Sequence, residues 1–277
     1  MNFVNAFPVI LALTPFVLGI VWKFSKGSSA SHKSMGLTAI GILTGGLVYM
    51  RSAFETEPSI LFLASAILLS GFCVILSQED KQQTSAIYAP IMIVLGLGLG
   101  VLLNQEIMNR IFLGGLLGYI AISQNRDQQN SFRTKIIFLH IALAIIFSLG
   151  SVFMGDTLQM FASLFLAVTF LPLAPFHLPF LGTIKDAKIT LASFWIVIWL
   201  IIGLSELNTL YSSLSQEMLF SLSLLALVSA IYASLASLGQ KFNRLFVASA
   251  TVAHVALVWG LLKVFPSFPK WGIPFGV

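Results

Sequence analysis

Few ionisable side chains of this chain fall inside apolar sequence, and two groups of them have the type and spacing to do chemistry. Glu106 and Arg110 stand four residues apart between apolar runs. On a helix they stack on one face. A carboxylate in or at the edge of hydrocarbon is costly unless it is paired or wetted, so it marks a functional position by default. Burial favours its neutral acid and Arg110 favours its carboxylate. Balanced between the two, Glu106 could exchange protons. Locked to the arginine, it would only anchor a short helix. The second group is Leu171–Lys188, where Pro172, Pro175 and Pro179 interrupt an apolar run beside His177. Each proline removes a backbone donor and clashes with the preceding turn. Inside a membrane such a break survives only where protein or trapped water meets the freed groups. His177 either relays protons, since histidine titrates near neutral pH, or holds the break together. A plain helix end at Pro175 is the alternative to a break.

Other chemistries find no support. His32, His140, His177 and His254 are far apart, and Cys73 is the one cysteine, so no disulfide and no clustered metal spacing exists. There is no HExxH, no phosphate-binding loop and no dinucleotide fingerprint. A haem between His140 and His177 would need both at matching depth. No catalytic residue, metal or cofactor is expected, and the net charge of +5 is no nucleic-acid signal because the basic residues sit in short loops.

The elements that must position these groups are membrane spans. The chain has 277 residues, 57% hydrophobic and only 9% charged, with a mean hydropathy of +0.95. Soluble domains carry roughly 25% charged residues. The expected fold is an all-α polytopic transmembrane bundle of about ten spans. They cover Phe3–Trp22, Met35–Met50, Pro58–Leu76, Ala86–Leu103, Glu106–Ile122 and Ile136–Met154. A broken seventh starts near Leu158, and Ile189–Gly203, Met218–Leu238 and Leu245–Val264 follow. His32 falls in a loop, His140 in the first turn of span 6, and Glu206–Glu217 in an acidic loop. Gly96, Gly98 and Gly100 mark span 4 as flexible or tightly approached. Eleven of the fifteen basic residues lie in the odd-numbered loops. The positive-inside rule therefore puts Lys23–Lys33, Ser123–Lys135, Lys185–Lys188 and Gly239–Arg244 in the cytoplasm and both termini outside. The N-terminal run reads as a retained helix.

Three motifs resemble one family. Leu173–Leu178 (LAPFHL) is similar to the LVPFHLW segment of the proton-translocating, antiporter-like subunits of respiratory complex I, the Mrp antiporters and the membrane-bound hydrogenases. The likeness is greatest to the N-type subunit. Gln240–His254 (QKFNRLFVASATVAH) resembles QxNIKRLLAYSSIAH, with Gln240, Ala248, Ala253 and His254 in one register and Arg244 at the family's lysine. Ser131–Gly150 resembles the EAALKYFLLGA helix start, with Lys135 at its lysine, and Glu106 then falls near the family's glutamate of helix 5. The resemblance implies a proton path with Glu106, His177, Arg244, Lys135 and His254 as candidates, Arg110 as ion-pair partner of Glu106, and a break at Pro172, Pro175 and Pro179. It covers Asn104–Gly260, and the earlier spans match by topology alone.

The departures are specific. The family is built from inverted helical repeats, and ten spans would hold the first and only begin the second, as in a truncated relative. Phe170 stands where the family has a lysine five residues before PFH, and it cannot change charge. Arg244 keeps its charge at any ordinary pH and cannot relay a proton as lysine can. The expected organisation is 1–103 for the first four spans, 104–205 for the core, and 206–277 for the last two and the tail. The expected function is an antiporter-like, non-catalytic subunit of a respiratory-type or ion-translocating complex. It would sit in a bacterial-type cytoplasmic membrane or its equivalent, beside other membrane subunits, with a partial proton path. Two alternatives stay open: a scaffold subunit that moves no ions, and a secondary transporter completed by dimerisation.

Overall fold

A computed structural model of the chain describes residues 3–25, 28–54, 56–78, 85–104, 106–124, 132–187 and 189–261. Among them are eleven α-helices, one 3-10 turn and no strand. In hydrocarbon every backbone polar group must be met within the protein, and a helix meets its own. Seven helices are long and apolar enough to cross a membrane, so the chain is an integral membrane protein. Three more apolar helices are shorter, at Ile87–Leu103, Ile107–Ser123 and Asp156–Phe170. The chain divides into two compact units, Met1–Leu116 and Leu117–Val277.

The first unit holds α1 (Phe3–Phe24), α2 (Ser29–Phe54), α3 (Pro58–Leu76), α4 (Ser85–Leu103) and the start of α5 (Glu106–Gln124). Helices α1 and α4 pack along each other most extensively. Two glycines make this closeness necessary. A Cβ on Gly96 would lie 2.6 Å from Phe16 N and 2.7 Å from Ala12 O, and one on Gly19 would lie 2.8 Å from Ile93 N. Small residues let membrane helices approach to backbone contact, where dispersion replaces the absent hydrophobic drive. The expectation of a tightly approached span 4 therefore holds at Gly96. α2 and α4 flank α3, and Lys33 Nζ donates to Gln78 O (2.9 Å), closing the C-terminal end of α3.

The second unit continues α5 and adds α6 (Phe132–Gly150), α7 (Asp156–Phe170), α8 (Leu178–Asp186), α9 (Ile189–Tyr211), α10 (Gln216–Leu238) and α11 (Asn243–Leu261). α7 packs along α9 and α10 along α11. One apolar core joins them: Ala167, Val168 and Leu171 meet Leu204, Leu207 and Leu210, with Val255 and Trp259 from α11. Ser215 caps α10, its Oγ accepting from Met218 N at 3.2 Å. The outer side of α10 exposes Leu224, Leu227, Ile231 and Leu235. These fall at three- and four-residue spacing, the stripe a lipid-facing helix needs.

Several expected boundaries move. α2 starts at Ser29, so His32 is helical and buried rather than in a loop. It lies against Trp22 and Tyr88, with Nε2 2.7 Å from Ser25 Oγ. α6 starts at Phe132, which carries His140 into its third turn. α9 does not stop at Gly203 but runs to Tyr211. Glu206, expected in an acidic loop, is therefore inside a membrane-length helix and 2% exposed. Glutamate is a good helix former, and neither proline nor glycine follows Gly203 before Tyr211.

Candidate functional site

Among the described residues, a cluster of long-range polar contacts surrounds Leu171–His177, the turn between α7 and α8. α7 ends at Phe170 because Pro172 has no N–H for Val168 O and Pro175 none for Leu171 O. α8 opens at Leu178 with Pro179 in its first turn, where a missing N–H is no loss. The Ala174–Pro175 bond is cis.

Other helices meet the polar groups of this turn. Trp259 Nε1 of α11 donates to Leu171 O at 3.1 Å, taking the role that Pro175 cannot fill. Trp199 Nε1 of α9 donates to Thr169 O at 3.1 Å. Ala174 N donates to Ser229 Oγ of α10 at 2.8 Å. Both indoles are fully buried. An unmet carbonyl in an apolar medium costs about 2–7 kcal/mol, so these donors are what allow buried non-helical backbone here. α9 also touches the turn directly: a Cβ on Gly203 would lie 2.7 Å from both Leu171 N and Phe170 C.

A histidine stands at the same turn. His140 Nε2 of α6 is 2.8 Å from Thr169 Oγ1, and that hydroxyl donates to Phe165 O at 2.7 Å. The hydroxyl has one proton and it is used, so it accepts from His140. Nε2 therefore carries the imidazole proton and Nδ1 keeps its lone pair. The ring packs on Phe165 and Phe176, with centroids at 5.0 and 6.0 Å.

The expected site residues fall as follows. His177 is buried at the start of α8, its ring edge-on to Tyr232 of α10 at 5.4 Å. Arg244, half-buried at the start of α11, donates from Nη1 to Ala187 O just beyond α8. Lys135 is exposed near the start of α6, and His254 is exposed on α11. Glu106 opens α5, and its side chain lies outside the described residues. Arg110 is half-buried in α5. Asn104 Nδ2 donates to Gly100 O (3.0 Å) and Asn109 Nδ2 to Val101 O (2.6 Å), so both amides close the end of α4 where α5 begins. Phe170 is fully buried, its ring 5.3 Å from Trp199.

Sequence reasoning passed over Trp199, Trp259, Ser229, Gly203 and Glu206. Only Glu206 left a local signal. Leu204, Leu207 and Leu210 continue the helical spacing through the polar stretch, and all three are buried. Among the described residues no three His, Cys, Asp or Glu side chains gather to hold a metal. No family model matches the chain, and no curated protein matches it.

Proposed function

We propose that this chain is an antiporter-like membrane subunit of a respiratory-type, ion-translocating complex, with a partial proton path and no catalytic chemistry of its own. The observation that carries the reading is the turn between α7 and α8, read as one broken membrane-crossing helix. Its carbonyls are held by Trp199 and Trp259, and His140 and His177 stand beside it. Irregular backbone at membrane depth is typical of ion pathways, where it is buried in protein or lines a cavity. The PFH resemblance falls on the same turn. In this reading the chain crosses a bacterial-type cytoplasmic membrane about ten times with both termini outside. Glu106 is the entry carboxylate, Arg110 its partner, and other subunits complete the path.

Two observations favour a second reading, a scaffold that moves no ions. Phe170 is buried where the resemblance implies a lysine, and Arg244 is engaged by the backbone beyond α8. The deciding comparison is Glu106→Gln against Arg110→Gln in the reconstituted complex, with proton flux measured beside partner turnover. Flux lost in Glu106→Gln with the complex assembled supports the carrier. Normal flux in both variants makes the pair an anchor and leaves the scaffold. A monomer that stays active after mild-detergent purification would remove the hetero-complex altogether.

A further inference from the structure

We infer that the end of the second unit where α8 meets α11 binds the phosphate headgroup of an anionic phospholipid. Arg244 is the anchor of this site, and Lys185 and Lys241 are its further cations. The inference holds whether or not the chain moves ions, so it goes beyond the reading above and stands or falls apart from it.

Two basic segments that lie far apart in sequence come together here. Lys185–Lys188 at the end of α8 and Gly239–Arg244 at the start of α11 hold Lys185, Lys188, Lys241 and Arg244 against one acid, Asp186. Arg244 Nη1 donates to Ala187 O, 57 residues earlier, and α8 packs on α11. Lys185 and Lys241 are exposed, while Lys188 and the side chain of Asp186 lie outside the described residues. Lys135, also exposed, stands near the start of α6, which packs on α8 as well. Asp156 and Glu217 lie in the first turns of α7 and α10, at the other end of the unit. Loop charge can set topology without any contact between loops. Cations drawn together repel one another unless an anion joins them.

The depth is that of a lipid headgroup. The membrane-length stretches Leu191–Tyr211, Gln216–Leu238 and Asn243–Leu261 all begin or end beside the Arg244–Ala187 contact. Lipid phosphates therefore lie level with the cations. Leu235 and Leu238 of α10, with Phe242 and Phe246 at the start of α11, are exposed next to them and suit the acyl chains. The chemistry of Arg244 fits a phosphate. Its partner is a carbonyl, which aims the guanidinium without cancelling its charge. Arginine carries further N–H donors in a planar fork, and that fork matches two phosphate oxygens at once. The lysines add point charges that draw the anion in, each worth about fivefold in affinity at a membrane surface.

The test uses the full chain in mild detergent, supplied with phosphatidylglycerol or phosphatidylcholine, and native mass spectrometry to count the lipid retained. Phosphatidylglycerol should bind about a hundredfold more tightly, from three cations together. Lys185→Gln, Lys241→Gln and Arg244→Gln should each weaken it about fivefold and leave phosphatidylcholine unchanged. Lys23→Gln removes an exposed charge at the end of α1 in the first unit and should leave phosphatidylglycerol binding as it was. Equal retention of the two lipids overturns the inference. So does a Lys23→Gln variant that weakens binding as much as Lys185→Gln, since the attraction would then belong to the whole surface. Displacement of the lipid by millimolar inorganic phosphate would assign the site to a free anion and overturn the lipid as its ligand. If Arg244→Gln fails to fold, the two exposed lysines decide.

Discussion

Gly203→Ala perturbs the fold at one atom and tests the account of the α7–α8 turn. The added Cβ would lie 2.6 Å from Leu171 Cγ, 2.7 Å from Leu171 N and 2.7 Å from Phe170 C. Two of these three atoms are backbone, and both belong to a turn already held by Trp199 and Trp259. The side chain of Leu171 could rotate away, but the backbone cannot retreat without stretching those bonds. Overpacking of this kind costs about 1–3 kcal/mol. Alanine in place of glycine inside a helix also brings a gain of about 1 kcal/mol, which hides part of the cost. The control must therefore be another helical glycine with open space. Gly260 in α11 has nothing among the described residues within 4 Å of its Cβ position.

The difference between Gly203→Ala and Gly260→Ala cancels the helix term and leaves the clash. At about 2–4 °C per kcal/mol for chains of this size, Gly203→Ala should melt roughly 2–12 °C below Gly260→Ala in the same detergent. Gly203→Val should melt lower still. If Gly203→Ala melts level with or above Gly260→Ala, α9 does not lie on the turn as described, and the positions given for Phe170, Trp199 and Glu206 fall with it.

Trp259→Phe keeps an aromatic ring but removes the donor to Leu171 O, and should lower stability by about 1–3 kcal/mol, read as an earlier melt. Trp199→Phe should do the same through Thr169 O, and normal melting of both variants would mean that the carbonyls find other donors. Lys33→Met removes the bond to Gln78 O and should cost about 1 kcal/mol in thermal unfolding. A change of several kcal/mol would point to a larger role for Lys33. Single cysteines at Ser131 and Ser212 should label from opposite faces of the membrane, since the loop charges put them on different sides, and same-side labelling would end the ten-span topology.

The sequence made some of this site readable and hid the rest for a physical reason. Pro172, Pro175 and Pro179 announce lost donors locally, so a disturbance beside His177 could be read from their spacing. The partners that meet the polar groups around them come from residues 30, 55 and 88 positions away: Trp199 and Trp259 donate to carbonyls, and Ser229 accepts from Ala174 N. Nothing in a local window links a tryptophan to a distant carbonyl. Gly203 misled because a glycine after an apolar run reads as a helix stop, whereas here it is small in order to let α9 reach the backbone of Leu171. That error hid Glu206, since polar residues after a presumed stop look like loop. His32 was hidden similarly: Lys23, Lys26 and Lys33 mark a loop by charge, but α2 begins inside the charged stretch and turns His32 inward.

The choice between carrier and scaffold therefore narrows to a few atoms of α6, α8 and α9. Along the stretch that resembles a proton path, Phe170 is a packing group and Arg244 holds the backbone beyond α8. A path running through those two positions has no group that changes charge. The ionisable residue types that stand around the α7–α8 turn are the buried His177, the half-buried His140 and, one turn further along α9, the buried Glu206. His140 and Glu206 reach that region from different helices, and α7 presents Thr169 to the first and its apolar flank to α9. A proton would pass between them only through water or groups that α7 itself does not supply. Under the carrier reading proposed above, that geometry would make hydration around the α7–α8 turn, and not the identity of any single residue at position 170, the property on which conduction depends.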